Sequence, residues 1–284
     1  MQLDPSAADI ERRFGGVTRL LGAQAHARLR AARVAVVGVG GVGSWAAEAL
    51  ARSGVERITL IDLDHVSESN ANRQIQALDP EFGKAKVVAM AQRIEAINPR
   101  AQVTRIEEFV TGENVTELIR DLDLVLDCID QVSSKAALIA YAAGIGLRVV
   151  TCGAAGGRTD PTRIRCADLA RALGDPLLAK VRYRLRRRHG FARETANRRP
   201  LFGVDAIYSD EPVRRPQPPD GSNQATAGSS PLPLAREGLG ERAFSGERAF
   251  SSSLACAGYG SSVVVTAPFG FAAAARAVER IIQA

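Results

Sequence analysis

The sequence predicts an α/β protein: a doubly wound, mainly parallel sheet with helices on both faces, followed by a basic helical and extended carboxy-terminal region. Short β-branched runs alternate with helical stretches through the first half of the chain, and a glycine cluster joins the first run to its helix. Strands that alternate with helices belong to parallel sheets covered on both sides.

Arg33-Val-Ala-Val-Val-Gly38 reads as the first strand, because an unbroken apolar run marks a strand buried on both faces. Gly40-Gly-Val-Gly43 then turns into an alanine-rich helix over 44–52, closed by Gly54. A second strand spans 57–62, and a helix over 84–98 is stopped by Pro99. Strands are expected over 102–106, 123–128 and 148–151, with a helix over 135–143 between the last two. Beyond Asp160 the periodicity weakens. A helix over 177–189 carries Lys180, Arg182, Arg184, Arg186, Arg187 and Arg188. The chain is expected to close with a strand over 261–266 and a helix over 271–282.

The organisation expected is an amino-terminal arm and helix (1–32), a nucleotide-binding domain (33–160), a basic contact region (161–211), an insert (212–253) and a carboxy-terminal strand and helix (254–284). The insert is rich in Pro, Gly and Ser, and Gly240-Glu-Arg-Ala-Phe-Ser245 repeats at once over 246–251, a composition expected to stay disordered. The net charge of +6 is compatible with a polyanionic partner and decides nothing about fold. The polar amino terminus does not read as a secretory signal. The four cysteines, Cys128, Cys152, Cys166 and Cys256, form no C-x-x-C pair, so neither a zinc site nor a disulfide framework is expected, and the cytoplasm is the expected compartment.

Gly38-Val-Gly40-Gly41-Val-Gly43 lies between a strand and a helix, where glycines let backbone N–H groups approach a phosphate at the helix N-terminus. Asp62, ending the second strand, is placed for ribose hydroxyls. This predicts a Rossmann-like nucleotide site without naming the nucleotide, and a nicotinamide-dependent oxidoreductase uses the same arrangement. Asn70, Arg73, Gln74 and Lys86 follow the second strand, and Asp130 follows the fourth. Strand ends converge on one crevice in such a sheet, where cations suit phosphate charge and a carboxylate suits Mg²⁺.

Gly38–Gly54 as a whole, Ile61-Asp-Leu-Asp64, Asn70-Ala-Asn-Arg-Gln74 and Lys84-Ala-Lys86 resemble the ubiquitin-activating-enzyme-like superfamily of ThiF, MoeB and HesA proteins. Arg13-Phe-Gly-Gly16, Asn72-Arg-Gln-Ile75, Lys135-Ala-Ala-Leu-Ile-Ala140 and Gly153-Ala-Ala-Gly-Gly157 are similar to its bacterial branch that dehydrates threonylcarbamoyladenosine in tRNA. The resemblance implies ATP-dependent adenylation of a carboxylate, with ATP and Mg²⁺ as cofactors and AMP and pyrophosphate as products. It implies Gly38, Gly40, Gly41, Gly43, Asp62, Asp64 and Asn70 as the nucleotide site, and Arg73 and Lys86 on the phosphates. Asp130 is implied as the metal carboxylate, and Arg13 as a residue that reaches the partner subunit's ATP in a homodimer. The basic helix is the expected tRNA contact, and a sulfur-transfer partner protein is also allowed. Three other readings stand beside this one: adenylation of a ubiquitin-like or sulfur-carrier C-terminus, nicotinamide-dependent oxidoreduction, and a tRNA-binding module without chemistry.

Overall fold

The computed structural model describes residues 10–195, 200–214 and 259–283. The tandem hexapeptide, Cys256 and the insert beyond Arg214 lie outside the described residues.

Two helices, α1 (Ile10–Leu21) and α2 (Ala23–Ala31), precede β1 (Arg33–Val37). The chain continues through α3 (Gly43–Arg52), β2 (Arg57–Ile61), α4 (Lys86–Ile97), β3 (Gln102–Ile106), the short α5 (Val115–Leu118) and β4 (Leu124–Asp127). It then runs through α6 (Val132–Gly144), β5 (Arg148–Cys152), β6 (Ile164–Asp168), α7 (Pro176–Arg188), β7 (Asp205–Ser209) and α8 (Val263–Ile282). The strands form one sheet ordered β3-β2-β1-β4-β5-β7-β6, parallel throughout except for β6, which pairs antiparallel with β7. The doubly wound α/β expectation therefore holds.

Alternation along β1 divides its side chains between two cores. Val34 and Val36 pack with Leu50 of α3, Met90 and Ile94 of α4, and Phe269 of α8. Ala35 and Val37 pack on the other face with Leu138 and Ile139 of α6 and Val181 of α7. The chain leaves β1 toward β2 and β3, and returns to pair β4 on the other side of β1. The order reverses between β1 and β4, and ligand crevices open at the carboxyl ends of strands flanking such a reversal.

One expectation is corrected. The run over 261–266 is not a strand: Val263 begins α8, and Ser262 caps it by accepting from the Val264 N–H at 3.4 Å. Packing overrides the β-branched preference, since helices in proteins are held mostly by tertiary contacts. Gly270 brings α8 against α3 so closely that a Cβ there would lie 2.5 Å from the Val42 carbonyl oxygen and 2.8 Å from the Trp45 Cβ. The Trp45 and Phe271 rings then meet edge to face at 5.8 Å. Residues 161–211, expected as a basic contact region, contribute β6 and β7 to the sheet and carry α7 between them. Asp205 of β7 also bonds Arg276 and Arg280 of α8 at 2.9 and 2.6 Å.

Candidate active site

The glycine cluster turns the chain from β1 into α3. Gly38 has φ +86°, a left-handed conformation that suits glycine, and a Cβ on it would lie 2.9 Å from the Cys128 carbonyl oxygen. Gly43 passes so close to the Gly38 carbonyl that any side chain would overlap it. These two glycines hold the turn, whereas Gly40 and Gly41 form its half-buried floor. Gly38, Gly40 and Gly41 line a cleft of about 640 Å³ together with Asp62, Asp64, Asn70, Arg73, Lys86 and Asp130. Gly43 supports the turn from behind and is not in the wall.

Asp62 follows β2 and is buried. Its two oxygens accept from the Val39 N–H at 2.6 Å and the Asp64 N–H at 2.8 Å, so the carboxylate braces the glycine turn from the adjacent strand. Burial raises its pKa above the ordinary carboxylate value, and Lys86 and the two backbone donors oppose the rise. The raised folded-state pKa has a signed consequence. As pH falls through it, the nucleotide-free protein should gain stability relative to the unfolded chain, because the folded state takes up the proton first. If Asp62 holds the ribose, ATP affinity should fall over the same range, because that acceptor is lost. Calorimetric ATP titrations at decreasing pH should show this acid limb in the native protein and not in Asp62→Asn.

Asn70 is buried at the end of a short 3₁₀ turn, where its side-chain oxygen accepts from the Ser67 N–H at 3.2 Å. That capping box fixes the loop carrying Arg73. The Arg73 carbonyl accepts from the Trp45 indole N–H at 2.8 Å, and its guanidinium donates to Ser69 O at 2.7 Å and Asn72 Oδ1 at 2.8 Å. The Arg73 side chain lies over Gly41, 3.2 Å from where a Cβ would stand. Lys86 opens α4, is 6% exposed, and bonds the exposed Asp64 carboxylate at 2.7 Å. A cation in a helix's first turn opposes the helix dipole, so neither local structure nor burial favours a lysine here. Its favourable partner in the structure is the Asp64 carboxylate.

Asp130 is exposed at the cleft, beside Gln131 and Ser134 at the entrance to α6. Cys128 lines the floor with its sulfur 3.9 Å from that of Cys152. Its hydrogen bond with Cys152 and its burial push the Cys128 pKa well up, so this thiol stays protonated. Arg13 is elsewhere. On α1, its guanidinium donates to Ile97 O at 2.8 Å and Ala96 O at 3.4 Å, capping the far end of α4.

Sequence reasoning missed what lies under Asp130. Lys135 of α6 and Asp127 of β4 form an ion pair at 2.8 Å with both side chains fully buried, and Thr151 of β5 joins them. A lone acid in the apolar run of β4 and a lone lysine in an alanine-rich helix are the signal that was available. A second buried pair, Arg158 with Asp175 at 3.2 Å, also went unseen. Asp175 accepts from the Leu178 N–H at the start of α7 and from the Ala154 N–H, which fixes the 153–157 loop on the opposite wall of the cleft. The basic helix α7 is only partly a free surface. Arg182 is buried with its guanidinium on the Ala172 carbonyl, and Arg186 stacks on Phe202 at 5.4 Å. Lys180, Arg187 and Arg188 are exposed.

The sequence profile of the ThiF family matches residues 16–199, which include every residue lining the cleft except Thr266. The chain belongs to the ThiF family. Over 97% of its length it is 40% identical to the tRNA threonylcarbamoyladenosine dehydratase of Haemophilus influenzae, covering 95% of that protein. Against the Escherichia coli protein of the same name it is 42% identical, over 95% of this chain and 93% of that one. The crystal structure of the E. coli enzyme, TcdA, in complex with ATP matches with a TM-score of 0.79 at 39% identity, covering 96% of this chain and 95% of that one. The complex of that enzyme with AMP matches with a TM-score of 0.78. This ThiF family chain thus shares its fold, nearly end to end, with an enzyme seen with both a nucleotide triphosphate and its monophosphate.

Proposed function

We propose that this protein dehydrates threonylcarbamoyladenosine in tRNA to its cyclic form by ATP-dependent adenylation of the side-chain carboxylate. The observation that carries the reading is a single cleft joining the glycine turn, Asp62, Arg73, Lys86 and Asp130. Near-full-length identity to tRNA threonylcarbamoyladenosine dehydratases supports the choice of acceptor. ATP lies over the glycine turn with its ribose on Asp62, and Asn70, Arg73 and Lys86 steady its phosphates. The substrate carboxylate oxygen attacks the α-phosphorus, and pyrophosphate leaves with the bond electrons. A nucleophile of the same modified nucleoside then attacks the acyl carbon, closes the ring and expels AMP. The fixed cations stabilise charge that grows on the transferred phosphate, so positioning and electrostatics carry the rate.

Asp130 suits Mg²⁺. Among the described residues no three His, Cys, Asp or Glu side chains cluster as a metal cage, and Mg²⁺ is usually held by one or two carboxylates plus substrate phosphates. When bound, the ion neutralises phosphate charge during transfer. The functional unit proposed is a homodimer in which Arg13 serves the neighbouring cleft. The exposed Arg187 and Arg188 of α7, with the half-buried Arg184, contact tRNA phosphates. Changing Arg184, Arg187 and Arg188 to alanine should flatten the salt dependence of tRNA binding, each lost contact lowering the log–log slope by roughly 0.7–0.9. An unchanged slope would return α7 to an ordinary solvated face.

The deciding experiment is mass spectrometry of nucleosides from tRNA incubated with the protein and ATP. Loss of one water from threonylcarbamoyladenosine, with one AMP per ring closed, is expected. AMP release with unchanged nucleosides would sink the choice of acceptor.

A further inference from the structure

We propose that Lys135, Asp127 and Thr151 form a positioning device that fixes the loop carrying Asp130. The inference rests on the reading of Asp130 as the Mg²⁺ carboxylate. The Lys135 ammonium spends its three protons on Asp127 Oδ2 at 2.8 Å, Asp127 O at 3.2 Å and Thr151 Oγ1 at 3.0 Å. Asp127 Oδ2 also accepts from the Thr151 hydroxyl at 2.6 Å. The other oxygen, Oδ1, accepts from the Ile129 N–H at 3.2 Å, the residue immediately before Asp130. The loop from Cys128 to Gln131 is thereby fastened at its strand end by a carboxylate and at its helix end by the lysine that holds that carboxylate.

Stability alone does not account for the arrangement. Burying an ion pair carries a large desolvation penalty, and a well-packed apolar pair of similar volume often serves as well or better. The lysine also stands in the first turn of α6, against the helix dipole. An apolar pair would leave the Ile129 N–H without its acceptor, and Asp130 would then sample orientations that hold the metal poorly. Groups that orient a metal ligand from behind commonly change metal affinity by about 10–100-fold when removed.

The test compares ATP affinity with and without Mg²⁺ by calorimetry in the full chain, alongside the Mg²⁺ concentration that half-saturates AMP formation. The variants are the paired change Asp127→Leu with Lys135→Met, the milder Thr151→Val, and Asp130→Ala. In the paired variant the Mg²⁺ requirement should rise about 10–100-fold, while ATP binding without metal stays as in the native protein. Thr151→Val should shift it in the same direction by less. If the paired variant melts cooperatively and keeps the native Mg²⁺ response while Asp130→Ala loses it, the cluster is structural only and the proposal is overturned. If Asp130→Ala also keeps the native response, the metal reading of Asp130 fails and takes the proposal with it. Should the paired variant not fold, Thr151→Val decides by the same comparison, an unshifted Mg²⁺ requirement overturning the proposal.

Discussion

Lys86→Ala should lower AMP formation by on the order of 10²-fold or more while leaving the fold intact. The catalytic part follows from removing a fixed cation at the proposed phosphate end of the cleft, where it would stabilise the developing charge. The structural part follows from the partner. Asp64 is 56% exposed at its side chain, so losing Lys86 leaves a carboxylate that water solvates, and such half-exposed pairs contribute about 0–1 kcal/mol. Relief of the unfavourable first-turn cation, roughly 0.3–1 kcal/mol, acts in the opposite direction. The two nearly cancel, so the melting temperature should move by no more than about 2–4 °C, the effect of ~1 kcal/mol in a domain somewhat smaller than this chain. AMP release measured by chromatography beside a thermal melt separates the two. Near-native AMP release would remove Lys86 from the machinery.

The contrast between Lys86 and Lys135 shows where a sequence stops being readable. Lys86 follows a glycine turn, an acid at a strand end and an arginine loop, so its setting is local and recognisable in one dimension. Lys135 stands in the equally recognisable run Lys135-Ala-Ala-Leu-Ile-Ala140, yet its two partners arrive from β4 and β5. The meeting exists only once those strands pair with Asp127 beside Thr151. Strands β1, β2, β4 and β5 were legible because burial on both faces leaves a continuous apolar run. Strand β6, Ile164-Arg-Cys-Ala-Asp168, was not, because an antiparallel edge strand can be half exposed and carry charge. The opening of α8 misled for the opposite reason. Its valines favour a strand locally, and only the close seat on α3 at Gly270 makes them helical.

Mixing Arg13→Ala with Lys86→Ala should restore roughly a quarter of native activity, although each variant alone is expected to be inactive. Geometry supplies the motive. Lys86 opens α4 at the cleft, and Arg13 caps the other end of the same helix. A helix from Lys86 to Ile97 has 12 residues. At 1.5 Å per residue the two ends lie roughly 18 Å apart. That is further than an arginine side chain extends, so Arg13 cannot reach the phosphates of its own cleft from this position. In the proposed two-fold assembly the exchange would be reciprocal, each cleft taking Lys86 from its own chain and Arg13 from its neighbour. Equal co-expression with random pairing makes half the dimers mixed. In a mixed dimer the chain carrying Arg13→Ala keeps its own Lys86 and receives an intact Arg13, so one cleft of two is rebuilt. If Arg13 acted within its own chain, mixing would restore nothing. If Arg13→Ala alone keeps native AMP release, the arginine is a cap on α4 and nothing more. A monomer by light scattering would remove the shared cleft and leave the adenylation chemistry of the single chain standing.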